Sequence, residues 1–562
     1  MLTVVKFLVI VSALVLGFFN SSWAVVRYVM PNHPNAADDG DGRVDRPYQT
    51  LSFAMKQLLP GDTLKLAAGK YRDSLTFPSR AWSNDRPTTI VGEENADVTI
   101  MGSDLVTGWV ARGNGFYVKR QWMTEPQQVS LNGFALKQIG GTIFEGYPTK
   151  PGHTMKSLHA SQGGIWPTRD NGSVAEMPPG AFYYDDRKKE LVIRASLGVS
   201  AENLRAEVST RPYLVQGQDI AGVTIQNIRF RYSNTTTRSR QGAVTIVGRG
   251  NTLDGLLVED MDGVGIELSG DENTIRNCRV TRSGYLGIKA RGRNVVIKNN
   301  EISYNNTRRF NKWWEAGGMK FVYQGGLHGS QVSGNRVHHN YGDGIWFDWG
   351  NDNNLVERNI LAYNEGFGIH YEASSRAVIQ DNEVYGNGQR GIYLIHSRES
   401  VVAHNLVVFN RLEGIAIVDE KRIDPSGLLD LRPQRNFIVG NLIGWNGDWA
   451  LILPGEEHRN LSDGNLFLQE RGEPGFSMGW PKAPSYVKLP WNSWRMDFQQ
   501  DRGSVSVSSK LPRALRQSLL AGSSAVDWRA FDRIRGKFRT SIGSSGVALP
   551  EGVSFSGKAG PR

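Results

Sequence analysis

Two acidic residues, Asp348 and Glu372, stand at matching points of consecutive sequence repeats. The aspartate ends the run GIWFD and the glutamate ends the run GIHYE. Side chains alternate between the two faces of a β-strand, so residues two and four after the glycine share a face. Neighbouring parallel strands lie about 4.8 Å apart, which predicts carboxyl groups about 5 Å from each other. Two carboxylates this close do not ionise independently, and one is expected to hold a proton at neutral pH.

This spacing is suited to glycosidic bond cleavage. A carboxyl pair separated by roughly 5–5.5 Å can cleave such a bond with retention, one group attacking the sugar while the other acts as acid and base. A calcium site and a surface pair neutralised by Lys320 are the alternatives for the same two residues.

The same alternation places further side chains beside the pair. The column two residues after each glycine contains Glu267, Lys289, Lys320, Trp346, His370 and Tyr393. The column four residues after it contains Ser269, Arg291, Val322, Asp348, Glu372 and Ile395. We expect Lys320 and His370 to assist catalysis and Trp346 and Tyr393 to stack against a sugar ring. We expect Lys289, Arg291 and Glu267 to extend the binding surface.

Two insertions are expected to form walls around this face. Residues 307–315, which include Trp313 and Trp314, enter just before the Lys320 repeat. Residues 421–434 enter after the repeat that contains Ile417. Long loops on a rigid scaffold often carry binding residues, although they could also merely shield the sheet.

The elements that position these residues follow from a repeat. The pairs Gly344-Ile345, Gly368-Ile369, Gly391-Ile392 and Gly414-Ile415 are 24, 23 and 23 residues apart. Three short β-type segments in each period predict one turn of a β-solenoid, whose stacked turns form continuous parallel sheets. The fold class is therefore predicted as all-β, a right-handed parallel β-helix with an N-terminal capping helix and an inserted β-rich module.

Asparagines follow the same period in two columns. The columns are Asn335, Asn359, Asn382 and Asn405, and Asn340, Asn364, Asn387 and Asn410. Asparagine tolerates left-handed backbone, and its amide can bond to an identical amide one coil away. We therefore expect both columns at the corners of the solenoid.

The remaining chain divides around this solenoid. We expect an N-terminal cap and first coils over 25–104, with a short helix within 47–61, and an inserted β-rich module over 105–212. The main β-helix is expected over 213–454, a C-terminal cap over 455–540 and a disordered tail over 541–562.

Residues 1–24 resemble a signal peptide, with Lys6 before an apolar run and Ser22-Trp23-Ala24 at the cleavage site. We expect a secreted or periplasmic protein with no membrane span after signal removal. The net charge of +10 could attract an anionic polysaccharide, whereas nucleic acid is not expected in an exported chain. The single cysteine, Cys278, excludes an internal disulfide and is expected to be buried.

Two weaker motifs were also considered. Residues 386–391 match a dinucleotide-binding fingerprint in letters alone, because no helix is expected to follow them. The acidic turn around Asp39, Asp41 and Asp45 could ligate Ca²⁺ through its oxygens, but an ordinary turn is the simpler interpretation. No cofactor is expected otherwise.

The run from Gly344 to Asn382 resembles the right-handed β-helix carbohydrate-active proteins, in particular the β-helix glycoside hydrolases that include certain β-xylosidases. The segments QVSLNG and AFYYDDRKKELVIRA resemble the β-module of those enzymes, and Trp494, Asp501 and Ser504 resemble their C-terminal portion. The resemblance implies Asp348 as nucleophile and Glu372 as acid and base.

Three functions remain open from the sequence. The first is a retaining glycoside hydrolase acting on polysaccharide or oligosaccharide. The second is a polysaccharide lyase or uronate epimerase, with Lys320 or His370 as base and Arg291 neutralising a carboxylate. The third is a non-catalytic glycan-binding protein.

Overall fold

The computed structural model describes residues 24–139, 174, 177–195, 204–236, 241–322, 325–479, 488–511 and 513–523. The predicted signal peptide, apart from Ala24, and the predicted tail over 541–562 lie outside these residues. Within them, no helix is long and apolar enough to cross a membrane.

Three long parallel sheets form the body of the molecule, and each coil of the chain contributes one strand to each sheet. Sheet 1, which contains both acidic residues, comprises Leu75–Thr76, Val215–Ala221, Gly242–Arg249, Val264–Ser269, Leu286–Arg293, Gly317–Phe321, Asp343–Asp348, Ile369–Glu372, Ile392–Ile395, Ile415–Val418, Leu451–Leu453 and Phe476–Met478, with Leu327–His328 at its side. Sheet 2 comprises Val26–Val29, Thr63–Leu66, Thr88–Gly92, Val223–Gln226, Thr252–Asp254, Thr274–Arg276, Val296–Lys298, Gln331–Ser333, Leu355–Glu357, Val378–Gln380, Val401–Ala403, Phe437–Val439 and Leu461–Asp463. Sheet 3 comprises Gly69–Tyr71, Val98–Met101, Arg229–Arg231, Leu257–Glu259, Arg279–Thr281, Glu301–Ser303, Arg336–His338, Ile360–Ala362, Glu383–Tyr385, Leu406–Val408, Leu442–Gly444, Leu466–Gln469 and Val505–Ser508. The predicted parallel solenoid is confirmed.

The core lies inside the coils, where the residue after each repeat glycine points inward. Ile345, Ile369, Ile392 and Ile415 are each fully buried. Glycine is required beside them because a Cβ on Gly368 would lie 2.6 Å from the carbonyl oxygen of Gly391 in the next coil. The predicted inward and outward register is therefore confirmed.

Both asparagine columns form the predicted amide ladders. The Nδ2 of Asn382 donates to the Oδ1 of Asn405 at 2.9 Å, and the Nδ2 of Asn364 donates to the Oδ1 of Asn387 at 3.0 Å. The predicted backbone role is wrong, however, because the left-handed position is the residue before the ladder asparagine. Arg358, Asp381 and His404 have φ of 52°, 53° and 58°, and each turn directs the following amide inward.

The predicted capping helix is Leu51–Gln57, whose first turn is capped by the Thr50 side chain. It buries Leu51, Ala54 and Met55 against the first coils. Further short helices are the 3-10 turn Glu456–His458, and the helices Trp491–Met496 and Arg513–Leu520.

The inserted module forms two small, mainly antiparallel sheets between early coils. One contains Ser103–Val106, Val129–Leu131, Phe134–Ala135 and Ala206–Ser209, and the other contains Val110–Gly113, Phe116–Arg120, Lys137–Ile139, Ala181–Asp185 and Glu190–Arg194. The coils continue past the expected end at 454, because the ladder extends through Asn441 to Asn465 and then to Asp501.

Candidate active site

Asp348 and Glu372 are direct register partners on adjacent strands of sheet 1. The strands Asp343–Asp348 and Ile369–Glu372 are anchored from inside by Phe347 and Tyr371, both fully buried. Alternation then directs both carboxyl groups away from the core. The side chain of Asp348 is 18% exposed and that of Glu372 is 10% exposed. The pair predicted from the sequence is therefore assembled side by side, close to the surface.

The cation next to Asp348 is Lys320, from the preceding coil. Its Nζ lies 2.9 Å from Asp348 Oδ2 and donates to the carbonyl oxygen of Trp314 at 2.5 Å. The same Nζ lies 3.2 Å from the centre of the Trp346 ring. The ammonium group is thus fixed by an anion, a carbonyl oxygen and an aromatic face.

Glu372 is held by three donors or cations. Its Oε1 accepts from Arg422 Nη1 at 2.5 Å. Its Oε2 accepts from Trp346 Nε1 at 3.2 Å and lies 3.4 Å from His370 Nε2. Arg422 comes from the second insertion and crosses from beyond the Ile415–Val418 strand to reach this carboxylate.

These surroundings shift the pKa values of the two carboxyl groups in opposite directions. Burial raises the pKa of Asp348, and the neighbouring Glu372 charge raises it further, while Lys320 opposes the shift only in part. Burial also acts to raise the pKa of Glu372, but His370, Arg422 and Lys320 outweigh it and leave that pKa lowered. Asp348 is consequently the group that retains a proton more readily, and Glu372 is the group that stays ionised.

A buried carboxylate lies behind His370. Asp343, at the start of the strand that ends in Asp348, places its Oδ2 2.9 Å from His370 Nδ1. Its Oδ1 accepts from the backbone N–H of Phe367 at 2.8 Å. The imidazole therefore lies between Asp343 and Glu372.

Trp346 and Tyr393 do not present open ring faces, contrary to the expectation that they stack on a sugar. Trp346 has Lys320 on one side and the His370 ring 4.6 Å away on the other, at an interplanar angle of 14°. Tyr393 contacts the ring of His370 at 5.1 Å and that of Phe367 at 4.7 Å. The register was predicted correctly, but the loop above this column covers it.

That cover is the insertion at 307–315. Trp313 packs edge-on against Phe367, with ring centres 5.7 Å apart, and Trp314 packs against a cluster around Phe310. Both tryptophans are partly buried and act here as packing residues. The loop therefore shields the column of Lys320, Trp346 and His370.

The remaining predicted binding residues lie further along sheet 1. Lys289 Nζ lies 3.8 Å from Glu267 and 3.9 Å from Glu315, so these three form a buried charged group of their own. Arg291 donates from Nε to Ser269 at 3.1 Å. It lies two strands from Asp348, which corresponds to about 10 Å.

Three residues of the site escaped the sequence analysis. Arg422 was one cation in an irregular insertion, and its reach depends on the path of the loop. Asp343 precedes a repeat glycine and was assigned to no column. Trp349 follows Asp348 directly, is partly exposed and has a left-handed φ of 55°. The aromatic residues on both sides of Asp348, in the sequence WFDW, were the available indication for Trp349.

A separate cleft of about 820 Å³ lies between the inserted module and a corner of the solenoid. Its acidic residues Glu207, Asp260 and Asp262 are each paired with an arginine. This cleft is separate from the Asp348 and Glu372 pair, whose members are direct register partners.

Among the described residues, no three His, Cys, Asp or Glu side chains converge as a metal site would require. In the acidic turn near the N-terminus, Asp41 pairs with Arg43 at 3.2 Å and Asp39 lies 3.6 Å from Arg46. The use of Ca²⁺ by the protein stays a prediction.

Comparisons with known proteins agree with this fold. Residues 241–421 match the family model described as "Right handed beta helix region". The uncharacterised protein YwoF of Bacillus subtilis (strain 168) is 21% identical over 484 residues, which cover 84% of this chain and 86% of that protein.

The structure of XylC in complex with xylose is similar, with a TM-score of 0.63, 14% identity and 87% of each chain covered. A solved glycoside hydrolase aligns with a TM-score of 0.46 and 12% identity, over 81% of this chain and 95% of that one. The predicted resemblance to right-handed parallel β-helix proteins is confirmed at the level of the fold.

Proposed function

We propose that this protein is a carbohydrate-active enzyme that hydrolyses glycosidic bonds of a polysaccharide or oligosaccharide with retention. The observation that carries the proposal is the pairing of Asp348 with Glu372 on adjacent strands, with pKa values shifted in opposite directions. Retaining hydrolysis requires one ionised and one protonated carboxyl group about 5–5.5 Å apart, and register partners on adjacent strands are expected near that spacing. The similarity to XylC, whose structure contains xylose, supports a sugar substrate.

We infer the two roles from the opposite directions in which the two pKa values are shifted. Glu372, kept ionised, attacks the anomeric carbon while Asp348 donates its proton to the departing oxygen. Asp348 then removes a proton from water, whose oxygen displaces Glu372 and restores both groups. This order is the reverse of the one that the sequence resemblance implies, in which Asp348 is the nucleophile.

We also propose that the protein is secreted or periplasmic, on the strength of the leader-like residues 1–24. The net charge of +10 and the cations Lys320 and Arg422 beside the pair favour an anionic substrate. Lyase or epimerase action is the other function to test. A base role for Lys320 is disfavoured by its contacts with Asp348, the Trp314 carbonyl and the Trp346 ring.

The first experiment is incubation of the purified protein with neutral and uronate polysaccharides, following reducing ends and near-ultraviolet absorbance together. Reducing ends without absorbance support hydrolysis, and retention is read from the anomer first released. Asp348→Asn and Glu372→Gln should each abolish turnover, whereas Asp186→Asn, an exposed carboxylate of the module, should leave it unchanged. Absorbance that rises with the reducing ends would show a lyase and overturn the proposal, as would binding with no product.

The assignment of roles is tested with aryl glycosides of the sugar that the panel identifies. A leaving group that needs no protonation bypasses the acid in the first step. Asp348→Asn should therefore retain much more activity on activated than on unactivated glycosides, and Glu372→Gln should lose both. The opposite result would restore the assignment that the resemblance implies.

A further inference from the structure

Asp343 lies next to the site, and its carboxylate is buried away from solvent. It is 2% exposed, and both of its oxygens are occupied, by the Phe367 N–H at 2.8 Å and by His370 Nδ1 at 2.9 Å. A Cβ on Gly366 would lie 1.9 Å from its Oδ1, so the backbone closes tightly over the carboxylate. A buried carboxylate is expensive unless a cation or several donors compensate it.

The imidazole that contacts this carboxylate is held between three aromatic rings. Trp346 stacks on one face of His370 with ring centres 4.6 Å apart, and Tyr393 lies at 5.1 Å on the other side. Phe367 meets it edge-on at 4.8 Å. With Nδ1 directed at Asp343, the only ring nitrogen left for a second contact is Nε2, which lies 3.4 Å from Glu372 Oε2.

We propose that Asp343 and His370 form a positioning couple for the Glu372 carboxylate. Asp343 orients the ring through Nδ1, so that Nε2 lies 3.4 Å from Glu372 Oε2 without hydrogen-bond geometry and the ring acts on that carboxylate through its charge. Neither residue is placed in contact with substrate, and both act through Glu372. This inference rests on the proposed function, because it assigns Glu372 as the ionised member of the pair.

The other charged and titratable groups around the couple come from each neighbouring element. Asp348 shares the strand of Asp343, Lys320 lies on the preceding strand, and Tyr393 lies on the following one. Arg422 approaches from the second insertion and lies 3.8 Å from Glu420, the residue just before that insertion. His370, Arg422 and Lys320 are the groups whose charge favours the ionised form of Glu372, so loss of one of them weakens that stabilisation.

The sharpest variant is Asp343→Asn, which preserves shape and removes charge. Its oxygen can still accept from Phe367, but its NH₂ would then face Nδ1 and favour a neutral ring with an unprotonated Nδ1. The pKa of Glu372 should rise, so the acidic limb of kcat/KM should move up by about one pH unit. We expect kcat to fall about tenfold with little change in KM, because the substrate contacts are intact.

His370→Gln should shift the acidic limb in the same direction. The double variant should lose no more kcat than the more strongly affected single variant. Asp501→Asn is the matched control, since Asp501 is a fully buried carboxylate bonded to Trp494 at the C-terminal end of the solenoid. It should alter thermal stability and leave the limb in place. An unshifted limb in both site variants would overturn the proposal.

A readout independent of turnover separates this inference from the proposed function. In ¹⁵N spectra of the imidazoles, Nδ1 of His370 should be protonated in the wild type, where it contacts Asp343, and unprotonated in Asp343→Asn. If the two proteins differ in this way but the wild type cleaves no glycan, the proposed function alone is overturned. An unprotonated Nδ1 of His370 in an active wild-type hydrolase would overturn the positioning couple alone.

Discussion

At the scale of single residues, the site is an arrangement of six ionisable groups rather than an isolated pair of carboxyl groups. Lys320 is fixed on Asp348, and Arg422 and His370 are fixed on Glu372. The two acids share a face and a comparable burial, so their pKa values are separated by which cations reach each of them. The division of roles is thus a property of the neighbours.

Arg422→Ala tests this balance. Glu372 has a pKa lowered partly by Arg422, so loss of the guanidinium should raise that pKa. A carboxyl group that must be ionised then titrates at higher pH, and the acidic limb of kcat/KM should move upward. A pH profile of the variant against wild type measures the shift.

Arg432→Ala is the control from the same insertion, because Arg432 is bound to Asp430 at 2.8 Å rather than to the site. Its profile should match the wild type. Equal shifts in both variants would mean that the loop as a whole, and not the Arg422 charge, acts on Glu372.

At the scale of the elements, stacked asparagines hold the coils in register. Asn382 donates to the Val356 carbonyl and to Asn405, and accepts from the backbone N–H and the amide of Asn359. All of these groups are buried, so every bond must be made within the protein. The ladder therefore fixes the register of consecutive coils, and with it the alignment of the strands that bear Asp348 and Glu372.

Asn382→Ala should lower the free energy of unfolding by about 2–4 kcal/mol, because it leaves a buried N–H and a buried carbonyl without partners. Asn492→Ala, on the exposed side of the Trp491–Met496 helix, should change it by less than about 0.5 kcal/mol. Chemical denaturation of the two variants beside the wild type makes the comparison. Equal stabilities would show that the amide ladder contributes nothing beyond the sheet hydrogen bonds.

At the scale of the whole molecule, the first insertion ties the solenoid to the inserted module. Arg308 pairs with the fully buried Asp262 of the solenoid. Its Nη1 donates to Gln138 Oε1 in the module at 3.0 Å, and its Nη2 donates to the carbonyl oxygen of Gln127. Because the same insertion covers the Lys320 column, the module and the site share one loop.

Burial raises the pKa of Asp262 to about 7, although Arg308 opposes the shift. The folded state therefore binds a proton more tightly than the unfolded chain, whose aspartates titrate near pH 4. This contribution to stability is fully present below about pH 4 and is lost as the pH rises to about 7. Tm should fall over that interval by more in the wild type than in Asp262→Asn. Parallel Tm curves for the two proteins would contradict the assignment.

The sequence by itself determined the solenoid, its register and the alignment of Asp348 with Glu372. These depend on local alternation and on a period that repeats, so each coil carries the same information. It also indicated the capping helix and the module, whose patterns are local as well. The left-handed corner residues were assigned one position too late, because the amide ladder is visible in the sequence and the backbone turn before it is not.

Only the tertiary structure decided what surrounds the pair. The burial of Trp346 and Tyr393, the reach of Arg422 and the contact of Asp343 with His370 depend on the paths of irregular loops and on side chains that meet across coils. No period encodes these contacts, since each loop occurs once. The separation of the two pKa values follows from them, because charge–charge energies depend on distance and burial, and neither can be read from spacing along the chain.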